Sequence, residues 1–174
     1  MKKTILVFGG IASLVLLVFI LGLSLFNWHS ATVGYTAMII AFSFIYVGIR
    51  SYRENYNDGV ISFGKAFRIG LGIALLASTA YVVFWMIDYT WFMPDFMDKY
   101  AATMVKQAHE SGLTGAALDK KLAGINQMKE LYKSKVMVVL FTYLEVLPVG
   151  LVISLITALI LKRKTRRDPI PAVA

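Results

Sequence analysis

The sequence predicts an all-α fold: a polytopic membrane four-helix bundle with an amphipathic extramembrane helical hairpin between helices three and four. Three observations predict it. Hydrophobic residues make up 58% of the 174 and charged residues only 16%, against roughly 45–50% and about 25% in soluble domains. Four apolar runs approach or exceed the roughly 20 residues that cross a hydrocarbon core of about 30 Å. Lys and Arg gather at the ends of those runs in a pattern that repeats on one side. This excess of apolar residues is more than one small core can bury. It excludes a disordered tail, a soluble enzyme domain and a collagen-like chain. The whole of 1–174 reads as a single membrane domain.

The first span, Thr4 to Phe26, follows Met1-Lys2-Lys3. A cleavable signal peptide has an apolar region of only about 7–15 residues, so an uncleaved first helix is expected. The second span is 32–49, the third 66–87 and the fourth 136–161. Asn27 to Ala31 is short and uncharged, which predicts a tight antiparallel turn between the first two helices. Arg50 to Lys65 reads as a polar loop with Asn57-Asp58-Gly59 as its turn signal.

The hairpin is expected over about 94–135. Pro94 suits a first helical position, and Phe96, Met97, Tyr100, Ala101, Met104, Val105 and Ala108 recur at helical spacing. Ser111-Gly112 breaks that pattern. Thr114 is placed to cap a second helix with apolar positions at Leu118, Leu122, Ile125, Met128 and Tyr132, a helix free to continue into the fourth span.

Charge sets the orientation. The termini and the Arg50–Arg68 region share one side of a four-span chain. That side carries Lys2, Lys3, Lys65, Lys162, Lys164 and every arginine (Arg50, Arg53, Arg68, Arg163, Arg166 and Arg167), but only Glu54, Asp58 and Asp168 as acids. The positive-inside rule therefore predicts an inner-membrane protein with both termini cytoplasmic and residues of about 88–135 periplasmic. Trp28, Trp85 and Trp91 fall near the opposite interface, as an aromatic belt would. The formal net charge of +8 then follows from topology and implies no nucleic-acid partner.

Small residues mark helix packing in lipid, where apolar contact alone gives no drive. Ala66, Gly70, Ala74 and Ser78 recur every four residues in the third span, and Gly150, Ser154 and Ala158 do so in the fourth. These stripes predict a close approach of the two helices. Gly34, Ala41 and Gly48 offer a sparser stripe in the second span.

Two stretches resemble a known family. Arg50-Ser51-Tyr52-Arg53-Glu54-Asn55 followed by Gly59-Val60-Ile61-Ser62-Phe63-Gly64-Lys65-Ala66-Phe67-Arg68-Ile69-Gly70 is similar to the central signature of the domain-of-unknown-function 4199 family. The run from Glu145-Val146-Leu147-Pro148 to Lys162-Arg163-Lys164 is similar as well. The resemblance covers nearly the whole chain. It implies a bacterial inner-membrane protein, mainly of Bacteroidota, with four spans and a helical segment before the last. It supplies no activity and no catalytic residue.

Glu145 is the sharpest chemical feature, an ionisable residue inside the fourth span. Such groups are costly in lipid and count by default as functional candidates. Pro148 frees the carbonyl of Leu144, so a carboxyl and an unpaired carbonyl stand together, as a cation or proton would need. Glu145 lies about 140° around the helix from Gly150, off the small-residue stripe. The plainer reading is a protonated Glu bonded between helices.

Ile61 to Arg68 reads as an interfacial helix start with Ser62 as cap, or as a docking segment for a partner or anionic lipid. Lys162, Arg163, Lys164, Arg166 and Arg167 are candidate lipid head-group contacts and a stop-transfer signal. Met93, Met97, Met104 and Met128 lack the clustering of a copper site and read as core filling, so no metal and no cofactor is expected. Asp88 and Asp95 read as solvated helix-end charges rather than an acid–base pair. No phosphate loop, zinc-binding or nucleophile-elbow motif occurs, and no enzyme activity is expected. The expected role is a non-catalytic small subunit or scaffold that presents the hairpin to a protein partner. The alternative is an oligomeric ion- or proton-coupled permeation protein using Glu145. The lipid bilayer is the expected partner in either case.

Overall fold

The computed structural model describes residues 1–26 and 31–163. Six α-helices follow in order: α1 (Lys2–Phe26), α2 (Ala31–Tyr56), α3 (Phe63–Ile87), α4 (Phe96–Glu110), α5 (Gly115–Leu131) and α6 (Lys135–Leu161). α1, α2, α3 and α6 are each long and apolar enough to cross a membrane. At 1.5 Å per residue the 27 residues of α6 extend about 40 Å, some 10 Å more than a hydrocarbon core. The expected turn between the first two helices lies outside the described residues.

α3 touches α1, α2 and α6, and α2 touches α1, α3 and α6, so α1 and α6 occupy opposite corners of the bundle. The centre is filled by Leu16, Met38, Phe42, Ile45, Ile69 and Ile73, all essentially inaccessible. Outward positions such as Leu6, Leu14, Val18, Ile39, Val83, Leu144 and Ile160 are apolar too. A helix that is hydrophobic all round suits a lipid surround rather than water.

Four local expectations are corrected. The helix of the second span does not stop at Ile49 but runs on to Tyr56, leaving only 57–62 as loop. Polarity suggested a loop there, yet Arg50 pairs with Glu54 one turn on, and Ile49 and Tyr52 stay buried. α3 does not end the third span at Ile87 but carries on as a five-residue π-turn through Phe92. Pro94 lies ahead of α4 instead of opening it, with Asp95 at the N-cap. α5 does not fuse with α6: the amides of Tyr132, Lys133 and Ser134 close a turn onto Met128, Glu130 and Leu131.

Ser62 does cap α3, its hydroxyl accepting the Lys65 amide at 3.4 Å. Thr114 occupies the N-cap of α5 but its hydroxyl makes no capping bond. Gly112, at φ +75°, takes the left-handed conformation that ends α4 and reverses the chain. α4 and α5 then pack through Met97, Ala101, Ala108 and Ile125, with Met104 and Met128 at the margin of this second core.

Candidate functional site at the junction of bundle and hairpin

An aromatic seam joins the hairpin to the bundle. Trp85 of α3 meets Phe96 of α4 edge-on at 4.9 Å, and Phe96 stacks on Tyr100 at 5.7 Å. Tyr132 at the end of α5 stacks on Phe141 of α6 at 5.6 Å. The Tyr89 hydroxyl donates to the Tyr132 carbonyl at 3.1 Å. Aromatic pairs add about 0.5–1.5 kcal/mol each beyond their buried area. The hairpin is thereby seated on the bundle and not merely tethered to it.

Glu145 stands one helical turn below Phe141, ten residues from the start of α6 and sixteen from its end. Its side chain is exposed and turned away from the small-residue face. Its charge reaches Tyr81 of α3 and Tyr132 of the hairpin. Burial pushes the Tyr132 phenol above its usual range, and the Glu145 carboxylate adds to that. Glu145 therefore belongs to the hairpin end of the bundle.

Asp88 is the residue that sequence reasoning misjudged. It is 4% exposed, not a solvated helix-end charge, and its field also reaches Tyr81. Asp88 lies seven residues after Tyr81 and fourteen after Ala74, on the continuation of the buried stripe. That spacing was the available signal. The π-turn that begins at Asp88 is closed by the Met93 amide donating to the Asp88 carbonyl at 2.9 Å. Asp95 does behave as an exposed charge. A hydrogen bond from Lys99 holds its carboxyl below the usual carboxylate range.

Below the seam the two stripes face one another. Ala66, Gly70, Ala74 and Ser78 of α3 and Gly150, Ser154 and Ala158 of α6 are all buried. A Cβ on Gly70 would stand 3.0 Å from the Ser154 Cβ, and one on Gly150 would stand 2.8 Å from the Ala74 Cβ. The Tyr143 hydroxyl donates to Thr79 Oγ1 across the same pair of helices at 3.0 Å. In α2, Gly48 meets Phe8 and Ile73 closely while Gly34 meets nothing.

A clasp closes the opposite end. Ile61 and Arg163 exchange both backbone hydrogen bonds, at 3.0 and 2.8 Å, as an isolated antiparallel bridge. Arg53 Nη1 donates to the Leu161 carbonyl at 3.3 Å, at the C-terminus of α6. Lys65 Nζ donates to Asn57 Oδ1 at 2.6 Å and lies 5.2 Å over the Tyr52 ring. The Arg50–Gly70 stretch thus builds this clasp. Lys162 and Arg163 are exposed beside it, whereas Lys164, Arg166 and Arg167 lie outside the described residues.

The hairpin itself carries an open groove of about 380 Å³ lined by Met104, Leu113, Ala117, Gly124, Ile125 and Met128 and edged by Lys120 and Lys121. Neither lysine is in an ion pair among the described residues. By contrast Lys129 bridges to Asp98 across the two hairpin helices at 2.7 Å.

No curated protein and no solved structure matches the chain. The family described as "Protein of unknown function (DUF4199)" matches residues 7–163, from the first turns of α1 to the clasp at Arg163, and the chain belongs to that family.

Proposed function

We propose that this chain is a non-catalytic small subunit or scaffold of the bacterial inner membrane, and that it presents the α4–α5 hairpin to a partner protein. The observation that carries the reading is the hairpin's construction. It has its own core, a firm aromatic seat on the bundle, and an open apolar groove edged by two lysines that form no ion pair among the described residues. An extramembrane element that only connected two spans would need none of these. In this reading both termini are cytoplasmic and the hairpin is periplasmic, as the distribution of arginine favours.

Crosslinking in native membranes tests it. A stoichiometric foreign protein crosslinked within residues 95–135, and lost in Leu113→Asp with the chain still folded, is the expected result. A chain recovered alone or only with its own copies overturns the subunit reading. A phosphatase reporter tests sidedness: it is active after Lys121 and silent after Arg53.

The outward placement of Glu145 favours a second reading, permeation by a homo-oligomer. A carboxyl that faces away from its own bundle is positioned for a neighbouring copy. Glu145→Gln should then abolish proton or cation flux in proteoliposomes while assembly is kept. Equal flux in both forms removes this reading.

A further inference from the structure

A second groove, of about 570 Å³, opens sideways between the hairpin ends of α3 and α6. Its wall is largely apolar, with Val82, Val83, Met86 and Val139 along its depth and Tyr143 at the foot, its hydroxyl held by Thr79. Its upper rim is polar and holds Thr90, Trp91 and Lys135. Trp91 and the neighbouring Phe92 are 75% and 71% exposed, at the end of a membrane-length helix. Exposed aromatics at that depth sit where acyl chains give way to head groups.

The charge at the rim has no answer among the described residues. Lys99, Lys106, Lys129 and Lys133 pair with Asp95, Glu110, Asp98 and Glu130. Lys135 is in no ion pair among the described residues, and no acid lines the groove with it. The lining thus runs from hydrocarbon to a single cation over the last turns of a span. That is the profile of a phospholipid, with an acyl chain below and a phosphate above.

We infer that this groove binds one anionic phospholipid of the leaflet on the hairpin side, its acyl chain between α3 and α6 and its phosphate on Lys135. The site is at the opposite end of the bundle from Lys162 and Arg163 and does not depend on the subunit reading. A lysine near an anionic surface contributes about fivefold in lipid affinity. The lipid would close the α3–α6 seam where the small-residue stripes no longer do.

Tryptophan quenching by brominated lipid tests this with the intact chain in vesicles. Trp28→Phe and Trp85→Phe leave Trp91, in the groove wall, as the reporter. Quenching is compared between vesicles of phosphatidylcholine carrying a minor fraction of brominated phosphatidylglycerol and the same fraction of brominated phosphatidylcholine. The expected result is an apparent affinity about fivefold higher for phosphatidylglycerol, falling to parity in Lys135→Gln and unchanged in Lys120→Gln. Lys135 is exposed, so its replacement leaves folding intact, and circular dichroism checks this. Equal quenching by the two lipids in the unaltered groove overturns the inference. So does a preference that survives Lys135→Gln, or one that Lys120→Gln lowers equally, since that reports bulk charge attraction.

Discussion

Gly150→Ala probes the contact on which the bundle turns. The added methyl would stand 2.8 Å from the Ala74 Cβ and 3.1 Å from the Phe42 ring, against the 3.4 Å at which ordinary contact begins. Ala74 has no side chain to rotate away, so α3 and α6 must part by about 0.6 Å at this level. Overpacking of this kind costs about 1–3 kcal/mol. Replacing Gly by Ala inside a helix returns about 0.5–1 kcal/mol. The net loss is about 1 kcal/mol, or a fall of a few degrees in Tm for a chain of this length. Gly10→Ala is the matched control. It gains the same helix propensity and meets nothing within 4 Å, so its melting temperature should equal or slightly exceed that of the parent. Adding Ala74→Gly to Gly150→Ala removes the nearest clashing atom, and the double variant should recover stability with a coupling of at least about 0.5 kcal/mol. Thermal melting in one mild detergent reads all five proteins: the parent, Gly150→Ala, Ala74→Gly, the double variant and Gly10→Ala. If Gly150→Ala melts at or above the parent, or if the two changes simply add, then the stripes do not set the approach of α3 to α6.

Three further outcomes are expected. Arg53→Gln removes the donor to the Leu161 carbonyl and should cost about 1 kcal/mol, with faster hydrogen exchange at the Arg163 amide; unchanged exchange would dissociate Arg53 from the clasp. Tyr132→Ala loses the stack on Phe141 and the edge contact with Tyr89, worth about 1–2 kcal/mol, and should raise tryptic cleavage after Lys133 with the spans still folded. The hairpin's ion pairs set a pH window. Lys99 holds the Asp95 carboxyl low, so its contribution is present above the usual carboxylate range and lost as pH falls through the lowered value. Asp98 holds the Lys129 ammonium high, so that contribution is present below the usual lysine range and lost as pH rises through the raised value. Protease resistance of the hairpin should therefore be level from about pH 5 to about pH 9 and decline on both sides, the decline being blunted in molar salt because both pairs are exposed. A change within that window would assign hairpin stability to other groups.

The membrane-length helices and the helical hairpin were legible because hydrophobic runs and period-four spacing are local signals. The break at Ser111-Gly112 was legible for the same reason: a glycine between two apolar patterns marks a left-handed turn, and Gly112 takes one. The overhang of α2 to Tyr56 was not, because polarity was read as loop. The Arg50–Glu54 spacing of one turn carried the helical signal instead. The turn at 132–134 was hidden because Leu131 and Tyr132 continue the apolar period into α6. Glu145 could be singled out by its chemistry, and its angle from Gly150 kept it off the stripe. Its electrostatic reach to Tyr81 and Tyr132 depends on tertiary packing that no spacing reveals. The Ile61–Arg163 bridge lies beyond local signals altogether, since it joins the chain just before α3 to the chain just after α6, with the whole hairpin between them in sequence.

The Ile61–Arg163 bridge has a mechanical consequence. α3 and α6 are fastened at one end by that bridge, along their length by Gly70, Ala74, Gly150 and Ser154, and at the other end by the hairpin whose two feet stand on them. They form a single plank, riveted at three stations, and cannot slide past each other without breaking one. With Trp85 against Phe96 and Tyr132 on Phe141 holding both feet of the hairpin, a load applied to its tip passes into the plank. α1 joins the plank through α2 and through a close approach to α3 at Gly9 and Gly72. The hairpin is then a mast stepped on a plank, and its height above the bundle is set by the packing beneath it.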